Sequence, residues 1–423
     1  MLVQALYNIV DSIFVSQINE NALTAVTLAF PMQMLVISFG GGTGVGINAL
    51  LSKALGEKRF DRADKAANTG IFLTAIHYVA FLLLGVFAAG PFIRTQTDDP
   101  EIIAFGTSYL SIVLVLSFGA FTQMLFERLL QSTGKTFQSM ITQITGAVIN
   151  IILDPILIFG LFGMPKLGVS GAAYATVFGQ LTAGILALIF NIRINKEIHL
   201  TPRLIFHPDR WTIGRIYAVG VPSILMMSIG SVMTYLMNRI LIVFSTTATA
   251  VFGVYFKLQS FFFMPVFGLN NGLIPVLAYN YGAKKRERIQ EALRFSILLA
   301  FCIMVVGMTV FLLIPGKLLD LFSASDAMKA IGIPALRTIA IHFPIAGISI
   351  ALGSTFQAFS KSVYALVISV SRQLVVLIPA AFLLSLTGVL NLVWWAFPIA
   401  EVVSLLFSVY FYTRIKKGIL EKL

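Results

Sequence analysis

Charged residues are scarce in this 423-residue sequence, where Asp, Glu, Lys and Arg together make up 11% of the chain. Soluble domains carry about 25% of these residues. Hydrophobic residues account for 58%, and the mean hydropathy is +0.90. This balance excludes an ordinary soluble domain and predicts an integral membrane protein.

Cysteine and histidine are also rare. The single cysteine, Cys302, excludes an internal disulfide, and the four histidines are scattered without the spacing of metal ligands. No nucleophile, base or metal triad assembles, so we expect neither an enzyme nor a cofactor. The net charge of +12 follows from membrane topology, and we expect no nucleic-acid partner.

Long apolar runs separated by polar breaks predict an all-α protein with twelve transmembrane helices. The predicted ranges are 1–18, 22–54, 66–93, 102–131, 137–163, 168–194, 213–245, 249–280, 288–315, 328–359, 363–387 and 391–414. The first run is short and opens in mid-pattern, so we expect further helical residues before Met1.

Basic residues are distributed unevenly among the predicted loops. Of the 30 lysines and arginines, 22 lie in or near the loops that follow every second helix and in the C-terminal tail. Positive residues concentrate on the cytoplasmic side of membrane proteins. We therefore predict a multi-pass protein of the cell inner (plasma) membrane, with both termini in the cytoplasm.

The sequence repeats itself at an offset of 226 residues. Gln33, Gly42, Gly46, Gly56, Lys58, Arg62, Ala66, Gln131 and Lys135 recur as Gln259, Gly268, Gly272, Gly282, Lys284, Arg288, Ala292, Gln357 and Lys361. Because each half has six helices, the repeat predicts two lobes related by pseudo-two-fold symmetry along the membrane normal. We place the N-lobe at 1–194, a cytoplasmic linker at 195–212 and the C-lobe at 213–423.

Two aspartates lie inside apolar helices, Asp154 in "NIILDPILIFG" and Asp11 in "YNIVDSIFVSQ". A charge at mid-bilayer costs at least about 2.5–3.5 kcal/mol, so such residues indicate a functional site. Counting a rise of 1.5 Å per residue places Asp11, Asp154 and Thr176 about 10–13 Å from the outer ends of their helices. Asn150 precedes Asp154 by four residues and shares its helical face.

If the first, fifth and sixth helices pack together, these groups form one buried pocket rich in oxygen atoms. Burial favours the protonated form of a carboxyl group, so the pocket could exchange protons. The same oxygens could instead coordinate sodium at Asp11, Asn150, Asp154 and Thr176. Pro155 permits a bend at this depth. Polar contacts that only hold the helices together are the structural alternative.

Other polar features admit simpler interpretations. Arg239, Lys257, Arg372 and Glu401 lie within helices of the second half, where a structural ion pair explains Glu401 best. The positions matching Asp11 and Asp154 in that half hold Met237 and Ala380. The stretch "FGGGTGVG" at 39–46 superficially resembles a phosphate loop, but it lies inside a predicted membrane helix, where glycines permit close helix contact or bending.

Several motifs, in this order and spacing, resemble the multidrug and toxic compound extrusion (MATE) family, in particular its prokaryotic MepA-like subgroup. They are "NIVDSIFVSQI", "GEKRFDRA", "LQSTGKT", "NIILDPILIFG", "LGVSGAAYAT", "MPVFGLNNG" and "YNYGAKK". The resemblance implies a secondary antiporter that exports cationic or aromatic compounds in exchange for protons or sodium. It also implies coupling at Asp11, Asn150, Asp154 and Thr176, the set reached from helical depth.

Substrate contacts are predicted at Tyr7, Gln33, Gln259 and Met264, with core packing as the alternative for each. We expect a monomer in the lipid bilayer that binds small, drug-like molecules. A related flippase for lipid-linked sugars is the main rival, since Arg239, Lys257 and Arg372 could hold a pyrophosphate. An intramembrane enzyme and a channel are the remaining alternatives.

Overall fold

The structure, a computed structural model, describes residues 10–422 except 12, 16 and 323. Every regular element among these described residues is helical. In chain order the helices are α1 (Glu20–Gly56), α2 (Phe60–Phe87), α3 (Ala89–Arg94), α4 (Pro100–Val115), α5 (Phe118–Ser132), α6 (Thr136–Phe159), α7 (Val169–Arg193), α8 (Pro202–Phe206), α9 (Arg210–Leu241), α10 (Thr246–Gly282), α11 (Arg286–Leu313), α12 (Pro315–Asp320), α13 (Asp326–Ala340), α14 (Phe343–Ala358), α15 (Ser362–Val370), α16 (Ile378–Ser385), α17 (Leu390–Val393) and α18 (Ala396–Gly418). A π-helical segment, Ser371–Leu377, joins α15 to α16.

Nine helices in the described part of the chain are long and apolar enough to span a membrane, and eleven spans result when two bent pairs each count as one. These spans correspond to the second to twelfth predicted helices. The first predicted helix lies mostly outside the described residues, although residues 10, 11 and 13–15 are helical. The protein is therefore an all-helical, multi-pass membrane protein.

Two of the predicted helices are broken. The predicted helix 102–131 is the pair α4 and α5, bent by 44°, and 328–359 is the pair α13 and α14, bent by 47°. Pro344 opens α14, where its missing N–H and its ring interrupt the hydrogen-bond ladder. The first break falls at Leu116 and Ser117, a position that the uniformly apolar pattern does not mark. Each pair fills one predicted span, so the two ranges are confirmed as spans, and the bends add a feature that the ranges do not describe.

The helix boundaries confirm the internal duplication. α10, α11 and α12 begin and end 226 residues after α1, α2 and α3, and the segment from the start of α15 to the end of α16 matches α6 in the same way. The N-terminal cap is also duplicated. The side chain of Asn19 accepts a hydrogen bond from the Ala22 amide, and Ser245 accepts one from the Ala248 amide.

The turns that end the repeated helices have matching geometry. Lys58 and Lys284, at equivalent positions, both have positive φ angles, of 58° and 55°. In the later turn, Gly134 has a φ of 81° and its equivalent Ser360 has 58°. A left-handed residue after a helix lets the following amides bond back to the last carbonyls, so these positions fix where each helix stops.

The chain divides into two compact units, residues up to Ile224 and Leu225–Leu423, which we call the N-terminal unit and the C-terminal unit. Each has its own apolar core. Tyr109 and Phe121 are among the fully buried aromatic residues of the first, and Tyr255 and Trp394 among those of the second. The predicted lobe ranges 1–194 and 213–423, with the linker 195–212, stay a prediction.

Candidate functional site

The helix pair α6 and α7 holds three of the four predicted coupling residues, and small residues let its backbones approach closely. A Cβ atom at Gly179 would lie 2.6 Å from the Gly146 carbonyl oxygen, and one at Gly171 would lie 2.5 Å from the Leu157 oxygen. Contacts of this kind require glycine, since no side chain fits between the helices. This close contact between the two helices, which we call the seam, brings Asn150 on α6 next to α7.

Asn150 links the other two groups. Its Nδ2 atom lies 3.4 Å from Asp154 Oδ1 and 3.4 Å from Thr176 Oγ1, so the amide donates to both oxygens. Asn150, Asp154 and Thr176 are all buried, and Asp154 is fully inaccessible. Asn150 Oδ1 and Asp154 Oδ2 have no hydrogen-bond partner among the described residues. The cluster therefore offers oxygen atoms that a bound ion or proton could satisfy.

Asp11 completes the cluster electrostatically. Its side chain is buried, and its charge is close enough to act directly on Asp154. Its Oδ1 atom has no hydrogen-bond partner within the described part of the chain. Two buried carboxylates in range of each other are unfavourable when both are charged, so the arrangement favours uptake of a cation or a proton. The predicted coupling role of these residues stays a prediction.

Pro155 lies inside α6, which continues as a helix to Phe159. Because proline has no N–H, the carbonyl of Ile151 lacks its usual donor within the helix. This leaves one further oxygen acceptor on the turn between Asn150 and Asp154. Gly160 then ends the helix with a φ of 76°.

The predicted substrate contacts have different outcomes. Tyr7 lies outside the described residues. Gln33 is half-buried on α1 and donates a hydrogen bond of 2.9 Å from Nε2 to the Tyr109 hydroxyl. Gln259 and Met264 are half-buried on α10. Their role in binding stays a prediction.

A buried carboxylate that depth counting did not select is Glu127 on α5. It accepts hydrogen bonds from Gln123 at 2.9 Å, Thr142 at 3.2 Å and Gln143 at 2.9 Å. Since the two latter residues belong to α6, Glu127 ties α5 to α6. In the sequence, Gln123 lies four residues before Glu127 and therefore on the same helical face, and this spacing could have indicated a hydrogen-bonded carboxylate.

The glycine-rich stretch 39–46 lies inside α1, which confirms the helical interpretation. A Cβ atom at Gly42 would lie 2.7 Å from the Ile224 amide nitrogen, and one at Gly46 would lie 2.2 Å from the Ile216 carbonyl oxygen. The glycines therefore let the N-terminal half of α9 pack directly on α1, as the prediction of close helix contact requires.

In the C-terminal unit, Arg372 and Glu401 form the ion pair that the sequence suggested. Arg372 Nη1 lies 3.3 Å from Glu401 Oε2. Glu401 is 3% exposed, whereas the Arg372 side chain is 26% exposed. The other two cations of this half, Arg239 and Lys257, are exposed at the protein surface.

A duplicated all-helical fold whose spans carry buried carboxylates is the architecture of a membrane transporter. The profile of the MatE family matches residues 1–156 and 222–383, which together make up most of the chain. The chain therefore belongs to the MATE family of transporters. This confirms the expectation that it is not an enzyme.

Named relatives and solved structures agree with this assignment. The chain is 26% identical over 414 residues to "Multidrug export protein MepA" of Staphylococcus haemolyticus, covering 97% of this chain and 89% of that protein. It is 28% identical over 402 residues to "Probable multidrug resistance protein YoeA" of Bacillus subtilis, covering 94% and 87%. A structure described as the outward-facing conformation of a multidrug resistance MATE family transporter superposes with a TM-score of 0.93 at 26% identity, over 100% of this chain and 94% of that one.

Proposed function

We propose that the protein is a secondary multidrug exporter that expels small cationic or aromatic compounds in exchange for protons or sodium. The exchange is coupled through Asp11, Asn150, Asp154 and Thr176 in the N-terminal unit. The names of the multidrug relatives support the substrate class. The observation that carries the coupling role is Asn150, which bridges Asp154 and Thr176 while buried oxygens of the cluster stay unpartnered among the described residues.

Ion loading changes the charge of the cluster. When it is empty, Asp11 and Asp154 repel each other in a medium that screens charge poorly. A proton on either carboxyl group, or a sodium ion between them, removes this repulsion and lets the helices carrying the two groups approach. An ion that favours one helix arrangement shifts the transporter toward it, which is the requirement for exchange. Carboxylate, amide and hydroxyl oxygens suit a hard cation as well as a proton.

The flippase alternative receives less support from the contacts. A pyrophosphate site needs arginine or lysine side chains that are available to the phosphate oxygens. Arg372, one of the three cations that suggested this function, is engaged with Glu401. We therefore retain the exporter as the proposed function. It acts as a monomer in the plasma membrane, with both termini in the cytoplasm. Its proposed substrate contacts are Tyr7, Gln33, Gln259 and Met264.

Ethidium efflux from proteoliposomes tests the proposal under separately imposed proton and sodium gradients. We expect the parent protein to accelerate efflux under at least one gradient, which also identifies the coupling ion. Asp154→Asn keeps the size of the side chain and removes its charge, so it should abolish the gradient-driven part. Asp98→Asn, at an exposed loop residue, is the matched control and should leave efflux unchanged.

Two results would contradict the proposal. Gradient-driven efflux that persists at the parent rate in Asp154→Asn removes this carboxylate from coupling. A parent protein that moves no ethidium under either gradient, but scrambles a lipid-linked saccharide, favours the flippase instead.

A further inference from the structure

The C-terminal unit has a buried carboxylate in the helix pair that corresponds to α6 and α7. At the offset of the repeat, residues 362–385 match α6 and α18 matches α7. Glu401 on α18 then aligns with Ala175, one residue before Thr176. The position equivalent to Asp154 is Ala380, which is not acidic. The second repeat nevertheless has an acid on the neighbouring helix α18, next to the position equivalent to Thr176.

The two carboxylate oxygens of Glu401 have different surroundings. One carboxylate oxygen, Oε2, accepts a hydrogen bond from Arg372, while the other, Oε1, is buried and has no hydrogen-bond partner among the described residues. Tyr255 on α10 and His342 before α14 lie within electrostatic reach of both charges. His342 Nδ1 donates to the Ile339 carbonyl at 2.6 Å, which fixes the direction of its ring.

Arg372 is carried by the π-helical segment Ser371–Leu377. The equivalent stretch of the N-terminal unit, residues 145–151, is ordinary α-helix. π-Helical turns are rare and occur preferentially at functional sites, because the wider turn redirects side chains. Here Arg372 takes the position that Gly146 holds in the close seam of the first repeat. The second repeat therefore carries, at the position of this glycine, a charged side chain that reaches Glu401.

Two serines extend the polar surface away from the carboxylate. Ser404 and Ser408 follow Glu401 by three and seven residues, which places all three on one face of α18. Both serines are fully buried, and their hydroxyl oxygens have no hydrogen-bond partner among the described residues. Buried hydroxyls of this kind are commonly satisfied by ordered water. The face leads toward the C-terminal end of α18, which the predicted topology places at the cytoplasm.

We propose that Glu401 is a second, proton-binding site, with Arg372 as its exchangeable counter-charge. A proton from water, delivered along the Ser404 and Ser408 face, converts the carboxylate to the neutral acid. Arg372 keeps its charge but no longer has a charged partner, so its side chain moves away from Glu401 toward the side on which it is already partly exposed. Release of the proton restores the ion pair. Sodium is disfavoured at this position, because the guanidinium group already neutralises the carboxylate and repels a metal cation.

Infrared difference spectroscopy tests proton binding without any transport measurement. The full chain is reconstituted in lipid and titrated between about pH 4 and 9 while the carbonyl band of protonated carboxyl groups is followed. We expect Glu401→Gln to remove one component of this band, whereas the exposed Glu421→Gln removes no component from a buried group. In Arg372→Gln the same component should persist to higher pH than in the parent, because the positive charge that favours the ionised carboxylate has been removed.

A neutral pair separates proton binding from a structural role. Removing one member of a buried ion pair destabilises a protein, whereas replacing both by neutral groups is far less disruptive. The double variant Glu401→Gln, Arg372→Gln should therefore fold and lack the same infrared component. In proteoliposomes its efflux under a pH gradient should fall at least tenfold; this second readout alone rests on the proposed function.

Two outcomes overturn the proposal. An infrared titration of Glu401→Gln identical to that of the parent shows that Glu401 binds no proton in this range. A neutral pair that keeps both the parent spectrum and the parent efflux shows that the ion pair is purely structural. Failure of the Asp154→Asn experiment leaves the infrared result unaffected, so the two proposals fail separately.

Discussion

Replacing Gly179 with alanine tests whether the close seam between α6 and α7 is what assembles the coupling cluster. The new Cβ atom would lie 2.6 Å from the Gly146 carbonyl oxygen and 3.1 Å from Asn150 Cβ. Both obstacles are rigid parts of α6, so the helices must separate. The substitution lies one turn from Thr176, and no titratable group is altered.

The size of the effect follows from these distances. To reach an ordinary contact near 3.4 Å, the backbones must move apart by about 0.8 Å. The hydrogen bond from Asn150 to Thr176 is already 3.4 Å long, so the shift would break it. Overpacking costs about 1–3 kcal/mol, and the better helix propensity of alanine returns about 1 kcal/mol. We expect a net loss of up to about 2 kcal/mol.

Thermal unfolding of the purified protein, followed by tryptophan fluorescence, measures this loss. In a unit of about this size, 1 kcal/mol corresponds to roughly 2–4 °C in Tm. Gly272→Ala is the matched control, because a Cβ atom there meets nothing within 4 Å in the described structure and should raise Tm slightly. If Gly179→Ala is as stable as the control and keeps gradient-driven efflux, the seam does not position Asn150.

Two further predictions concern polar contacts at helix ends and between helices. Asp209 accepts two hydrogen bonds from Thr212 at the start of α9, which hold the pKa of its carboxyl group below its usual range. The stabilisation is complete above the usual aspartate pKa and is lost as the pH falls through the lowered value. Asp209→Ala should cost about 1 kcal/mol at neutral pH, and Asp209→Asn should remove the part of the pH dependence of Tm that this carboxyl group contributes. Glu127→Gln should cost roughly 1–3 kcal/mol in unfolding measurements, because the new side-chain NH2 group would face side-chain groups that now donate hydrogen bonds to the carboxylate. A Tm equal to that of the parent protein would contradict this.

The sequence was most informative where a physical pattern is local. The apolar run predicted as 137–163 is α6, Thr136–Phe159, and the run 168–194 is α7, Val169–Arg193. The spacing of Asn150 and Asp154 predicted their shared face, because four residues make about one helical turn. Counting residues along separate helices also brought Asp11 near Asp154, since membrane thickness gives all spans a common scale.

Features that depend on packing left no mark in the pattern. The bend at Leu116 and Ser117 lies in a stretch that is apolar on both sides, so the hydropathy pattern predicts one helix there. The π-helical turn at Arg372 is hidden in the same way. The contact of Gln143 with Glu127 joins two helices, and only the tertiary arrangement of α5 and α6 determines which side chains meet.

The duplication explains why the two repeats agree in their turns and differ in their polar sites. Lys58 and Lys284 share a left-handed backbone that costs of order 1 kcal/mol, and the helix ends they define would shift without it. A buried polar group, by contrast, needs only local partners, so it can move between neighbouring helices while the scaffold is retained. In the N-terminal unit the helix pair α6 and α7 makes its close contact at Gly146 and Gly179 and holds Asp154 on α6. In the C-terminal unit Arg372 stands at the position of Gly146 and provides the counter-charge for Glu401 on α18.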